Sequence, residues 1–348
     1  MGRGVRPQDP TKVGRPILPR PVFGRENRVY TGVVHYRSEM EYSTVMNRGA
    51  RIAVGGILVL IGIAALLQYA FGFGSDEEYE HTVPLGDGVR EIKIDSASLD
   101  LDIRFTESVS GENTVHVKGK AASRIVNRIR SAEVTDGVLH LGFAEPWQWS
   151  LNVSLFQAMN GKQTVTVELT EDAMSALESF RVNTGSGSLH ASGAAARLIV
   201  FTSDSGGIRI DGLRSDAATV HSDSGSIRLE RFEGGSLRLR TDSGSIHANE
   251  VSALLIASSD SGSVTIDHLT GTGEIRTNSG SIRVAKDDDT GLDVVSDSGS
   301  VRITVPASFG GVYDAASDSG SVSHPEPAGA SGEVIRVRTD SGSIRIEH

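Results

Sequence analysis

Cysteine is absent from this 348-residue chain. Its absence excludes a disulfide framework, a thiolate metal site and a cysteine nucleophile. Aromatic residues are scarce, at 5%, so any core must be narrow and filled by small aliphatics. The motifs of common chemistries are missing as well: no G-x-S-x-G elbow, no S-x-x-K, no phosphate-cradling glycine loop and no H-E-x-x-H. The ten histidines are scattered without metal-ligand spacing. Glycine is what the chain has in excess, 40 residues, against a usual frequency of about 7%. Such a composition suits many tight corners better than a bulky enzyme core.

Charge is unevenly spread. Residues 1–51 carry a net +6, which leaves −16 for the remainder of a chain whose total is −10. So acidic a body is poorly suited to gripping nucleic-acid phosphates, and no nucleic-acid partner is expected. Between the two parts lies IAVGGILVLIGIAALLQYAFGF, residues 52–73, without a charge. As a helix it reaches about 33 Å, enough for a hydrocarbon core of about 30 Å. The spacing therefore predicts one transmembrane helix. Arg48 and Arg51 precede it, and Asp76, Glu77, Glu78 and Glu80 follow. Cations stay on the cytoplasmic side. The expectation is a single-pass protein of the cell membrane with a cytoplasmic, unfolded basic tail (1–51) and residues 75–348 extracytoplasmic.

The C-terminal half is built from nine copies of one turn: TGSGSLHA, SDSGGIRI, SDSGSIRL, TDSGSIHA, SDSGSVTI, TNSGSIRV, SDSGSVRI, SDSGSVSH and TDSGSIRI. Their shared glycines are Gly187, Gly206, Gly225, Gly244, Gly262, Gly280, Gly299, Gly320 and Gly342, spaced 18 to 22 residues apart. Two residues after each glycine stands an aliphatic: Leu189, Ile208, Ile227, Ile246, Val264, Ile282, Val301, Val322 and Ile344. Apolar residues also recur three and five positions before the Asp or Asn. Period-2 alternation on both sides of a corner reads as two half-buried strands. Two short strands bury nothing alone, so successive copies must stack. The expected fold is mainly β: a β-solenoid of two-strand repeats with SDSGS corners over residues 181–348. A β-rich region (74–180) and the transmembrane helix precede it.

Within each corner, glycine is expected to supply a positive φ, and the Asp to close an Asx turn on the amide two residues on. Stacking would then create two ladders. One is acidic: Asp204, Asp223, Asp242, Asp260, Asp297, Asp318 and Asp340, interrupted by Asn278. The other is basic: Arg209, Arg228, Arg283, Arg302 and Arg345, five residues after their Asp or Asn. These residues form the candidate binding face. Stacked carboxylates repel, and two devices offset that: turn bonds with nearby arginines, or calcium. The turns are preferred, because the calcium-binding nonapeptide G-G-x-G-x-D is absent. No cofactor is expected.

The DSGS-aliphatic-x-aliphatic repeat and the run TVTVELTEDAMSALESFRVNTGSGSL resemble the bacterial putative-adhesin family of envelope proteins, a domain of unknown function. The resemblance covers roughly residues 80–348 and implies adhesion. RGARIAVGGILVLIGIAALL is similar to hydrophobic segments of bacterial envelope-stress membrane proteins. Upstream of the repeats, SASLDL (96–101) looks like a decayed copy. AASRIVNRIRS (121–131) has helical spacing suited to a crossing or capping helix, and Trp147 and Trp149 fall with Phe156 in a segment read as a hairpin packing on the rod, the alternative being an exposed aromatic loop that contacts lipid or glycan. Three functions follow. The first is a non-enzymatic surface protein that binds an envelope or surface polymer or protein. The second is a stress-signalling component whose residues 1–51 contact a cytoplasmic regulator. The third, an enzyme acting on polysaccharide, lacks a paired-carboxylate site.

Overall fold

The computed structural model describes residues 61–62, 76–144, 161–327 and 329–348. The tail 1–51, nearly all of 52–73 and the segment with Trp147, Trp149 and Phe156 lie outside the described residues. Among the described residues no helix is long and apolar enough to cross a membrane.

The repeats stack into a β-solenoid. Their alternation places every second residue in a dry interior. Two residues after each corner glycine the aliphatic is at most 1% exposed, except Val322 at 39%. The strands before the corners form one parallel ladder. It runs from Glu91–Ser96 through Ser179–Thr184 and Leu198–Ser203 to Gly273–Thr277 and Leu292–Ser296. The strands after the corners form a second, from Asp100–Glu107 through Leu189–Ala195 to Val264–Thr270, Ile282–Lys286 and Val301–Thr304. Register is kept at the corners, so like residues face like: Ile208 pairs with Ile227, and Ile227 with Ile246; it shifts only away from them, between Glu233 and Ser236 and between Ile266 and Leu269. Three strands, Ile208–Ser222, Ile227–Thr241 and Ile246–Ser259, run through both ladders. In five successive rungs the chain bends at a left-handed residue: Gly193, Gly212, Arg231, Glu250 and His268.

SASLDL is indeed the corner of a first rung. Glu91–Ser96 and Asp100–Glu107 stack on Ser179–Thr184 and Leu189–Ala195, so hydrogen-bonded ladders run unbroken past residue 180. The insertion between these rungs closes the front of the solenoid. Lys162–Leu169, Thr114–Ala122 and Asp76–Pro84 extend one ladder, and Val138–Gly142 the other. The expected capping helix spans Ser123–Arg130. It buries Ile125, Val126 and Ile129 and packs on Asp76–Pro84, Thr114–Ala122 and Val138–Gly142. Edge-to-face rings of Phe105, Phe180 and Phe201 fill the interior beside it.

The far end departs from simple sequential stacking. The last repeat in sequence is next to last in space. Val334–Thr339 pairs with Leu292–Ser296 on one side and Val312–Ser317 on the other. Likewise Ile344–Glu347 lies between Val301–Thr304 and Val322–Ser323. Burial explains the order. The intercalated repeat offers Ile335, Val337, Ile344 and Ile346, all at most 3% exposed, whereas in register the outer one offers Tyr313, Ala315 and Val322, none of them fully buried. The more apolar repeat takes the site covered on both sides. Arg336 locks the arrangement by reaching Asp293 at 3.3 Å on one neighbour and Asp314 at 3.4 Å on the other.

Candidate functional site

The corners hold the first surprise. None of the nine shared glycines has φ in the left-handed region. Their smallness serves stacking instead. A Cβ on Gly244 would lie 2.1 Å from Gly225 O, one on Gly262 1.8 Å from Gly244 O, and one on Gly342 2.1 Å from Gly299 O. Each corner rests directly on the backbone of the last.

The Asp side chains do not close the turns. Among the described residues, none of the seven accepts from a corner amide. That task falls to the Ser or Thr just before them, which is buried. Thr241 Oγ1 accepts from Gly244 N–H at 3.0 Å and donates to Gly225 O at 3.0 Å. Ser222, Ser259, Thr277 and Ser296 make the same pair of bonds. One hydroxyl thus closes its own turn and staples it to the neighbouring rung. The signal was visible in the invariably hydroxylated first letter of every corner.

Freed from the turns, the aspartates face solvent, and three of them meet a cationic partner that precedes them in sequence. His221 Nε2 meets Asp223 at 2.9 Å, and Arg240 reaches Asp242 at 2.8 Å and Asp260 at 3.9 Å. The arginines five residues on do not neutralise this ladder. They lie on the strand beyond the corner, in one column: Arg209 pairs with Arg228, Arg283 with Arg302 and Arg302 with Arg345. His247 and Thr265 interrupt it between Arg228 and Arg283.

This column changes character along its length. At the front it is neutralised. Asp102, 1% exposed, meets Arg104 at 2.7 Å, Lys162 at 3.0 Å and His190 at 3.2 Å. Burial raises its carboxyl, but Arg104 and Lys162 outweigh that and hold it below the ordinary range. His190 also contacts Asp211 at 2.8 Å, which lowers the Asp211 carboxyl, aided by Arg209. At the far end Arg283, Arg302 and Arg345 line an open groove of about 700 Å³ with Ser263, Ser281 and Ser300. No Asp of the acidic ladder lines it. Among the described residues no group of three or more His, Cys, Asp or Glu is placed to hold a metal ion.

A second charged residue serves the frame. Lys286 occupies a core position, its side chain fully buried. It reaches Asp288 at 2.8 Å, Gly271 O at 2.6 Å and Thr290 at 2.9 Å. Sequence periodicity gave no sign of this, because the residue is polar where its column is apolar.

A closed-corner β-solenoid with ladders of like side chains defines the class of protein. Residues 89–347 match the family model described as Toastrack DUF4097, and the chain belongs to that family. No curated protein matches the sequence. Similar solved structures include a putative lipid binding protein from Parabacteroides distasonis, 16% identical, covering 79% of this chain and 98% of its own, TM-score 0.47. Another is a putative adhesin from Bacteroides fragilis, 16% identical, covering 78% and 98%, TM-score 0.37. A putative adhesin from Parabacteroides merdae is 12% identical, covering 79% and 98%, TM-score 0.36.

Proposed function

We propose that the protein is a non-enzymatic, membrane-anchored surface protein. Residues 52–73 span the membrane, 1–51 remain in the cytoplasm, and the solenoid binds a component of the envelope or of a neighbouring surface. The observation that carries this reading is the register kept at the corners, which repeats one exposed side chain at each rung, about 4.8 Å apart. Repetition of that kind suits a repetitive ligand, because weak contacts add through effective concentration.

Co-sedimentation of purified residues 75–348 with isolated envelopes, across a salt series, tests the reading. Saturable pelleting is expected. Its absence at every salt concentration overturns the binding function. A second reading, stress signalling, draws on a tail longer than anchoring needs. Deletion of residues 1–45 separates the two: surface binding survives it, whereas signalling is lost.

A further inference from the structure

We propose that the far-end groove binds the phosphate groups of a linear polyanion lying along the solenoid axis. The proposal rests on the surface-binding reading and names its ligand class.

The first observation is a charge imbalance confined to the groove. Two residues beyond the column positions Arg209, Arg228, His247 and Thr265, on the same outward face, stands an acid or amide: Asp211, Glu230, Asn249 and Asp267. Beyond Arg283 and Arg302 stand Ala285 and Thr304 instead. The acid returns only at Glu347, which meets Arg345 at 2.8 Å. Among the described residues Arg283 and Arg302 form no ion pair. Two exposed guanidinium groups thus lie on adjacent rungs, paired in register, with nothing to neutralise them. Like charges directly opposite destabilise a sheet, and a bound anion removes that cost.

The second observation is the lining. Ser281 and Ser300 stand two residues before Arg283 and Arg302 and line the same groove. A guanidinium fork holds two oxygens of a tetrahedral anion, and a hydroxyl donates to a third. The unit repeats from rung to rung, so a chain with regularly spaced phosphates engages successive rungs where a single ion engages one. The third observation is that the intercalated C-terminal repeat supplies Arg345, so the unusual strand order completes the groove. The acidic body does not prevent this. Asp297, Asp318 and Asp340 share the far-end rungs but do not line the groove, and at physiological ionic strength a Debye length of about 8 Å screens the front-end carboxylates.

Inorganic polyphosphate is the probe, with purified residues 75–348 and calorimetric or fluorescence-anisotropy detection. Saturable binding that weakens with salt is expected, and orthophosphate should bind at least tenfold more weakly. Arg283→Ala with Arg302→Ala should weaken polyphosphate binding at least tenfold. The Ala285→Asp, Thr304→Asp variant keeps both arginines and restores the acids found on earlier rungs. It should weaken binding similarly while remaining folded, with the modest loss of melting temperature expected of two carboxylates in register. Equal binding by wild type and both variants overturns the proposal, as does no polyphosphate binding. Binding only to vesicles of anionic lipid reassigns the groove to a membrane surface and overturns it too. If the variants keep polyphosphate binding and still pellet with envelopes, the groove fails while surface binding stands. If wild type binds polyphosphate but not envelopes, the groove stands and surface binding fails.

Discussion

Thr241 does two jobs with one hydroxyl, and neither has a substitute in the buried corner. Thr241→Val keeps the shape but orphans Gly244 N–H and Gly225 O. A loss of about 1–3 kcal/mol is expected from urea denaturation. Gly244→Ala meets a harder obstacle, since its Cβ collides with a carbonyl that is itself held by the next rung. It should cost more than about 3 kcal/mol, comparable to the severe core substitutions. Gly88→Ala, where a Cβ has nothing within 4 Å, should stay within about 0.5 kcal/mol. Equal effects at Gly88 and Gly244 would remove close stacking as the reason for a glycine at every corner.

Among the elements, the intercalated repeat makes the sharpest claim. In sequential order Val322 would be buried and Ile344 would lie on the outer rung. In the observed order Ile344 is 1% exposed and Val322 39%. Ile344→Asp should therefore destabilise by more than about 3 kcal/mol, because it buries an unpaired carboxylate. Val322→Asp should change stability by less than about 1 kcal/mol. Thermal melts of the two variants decide the order, and a reversed ranking would establish sequential stacking. The outer repeat remains an edge, and exposed edge strands invite pairing with other chains. Pro325 and Pro327 follow it directly, and proline lacks the N–H that another strand would need.

For the whole molecule, acid is the condition that reaches several rungs at once. Asp102 and Asp288 are pushed up by burial, yet their cationic partners prevail and hold both below the ordinary carboxylate range. Asp211 is held low by His190 and Arg209. Depressed folded values mean stability that is complete above the unfolded value, about 3.9. It is lost as pH falls through the folded values. The melting temperature of residues 75–348 should fall steeply below about pH 4. Lys286→Met removes the cation that holds Asp288 low, so its acid dependence should be shallower even though its neutral-pH stability is reduced. A parallel acid slope in the two proteins would discard the Lys286–Asp288 pair as a source of that dependence.

How much of this was legible beforehand divides along the range of the interactions. The strand–corner–strand unit, the aliphatic columns and the need to stack follow from period-2 alternation and a fixed repeat, which are local properties of the chain. The decayed rung at 96–101 and the capping helix followed from the same local signals. The corner chemistry was misassigned, because an Asp before a glycine promises an Asx turn in an isolated segment. Only a neighbouring rung supplies the carbonyl that recruits the Ser or Thr hydroxyl and forbids a Cβ on the glycine. Direct neutralisation of the acidic ladder by arginines five residues on failed for a related reason: the corner places the two columns on different strands. The order of the last two rungs, the buried Lys286 and the unneutralised groove are facts of neighbours distant in sequence. The sequence by itself determined the repeating unit, since alternation and turn residues act within a few bonds. Tertiary structure decided which rung lies beside which, because burial favours the arrangement that covers the more apolar repeat on both sides.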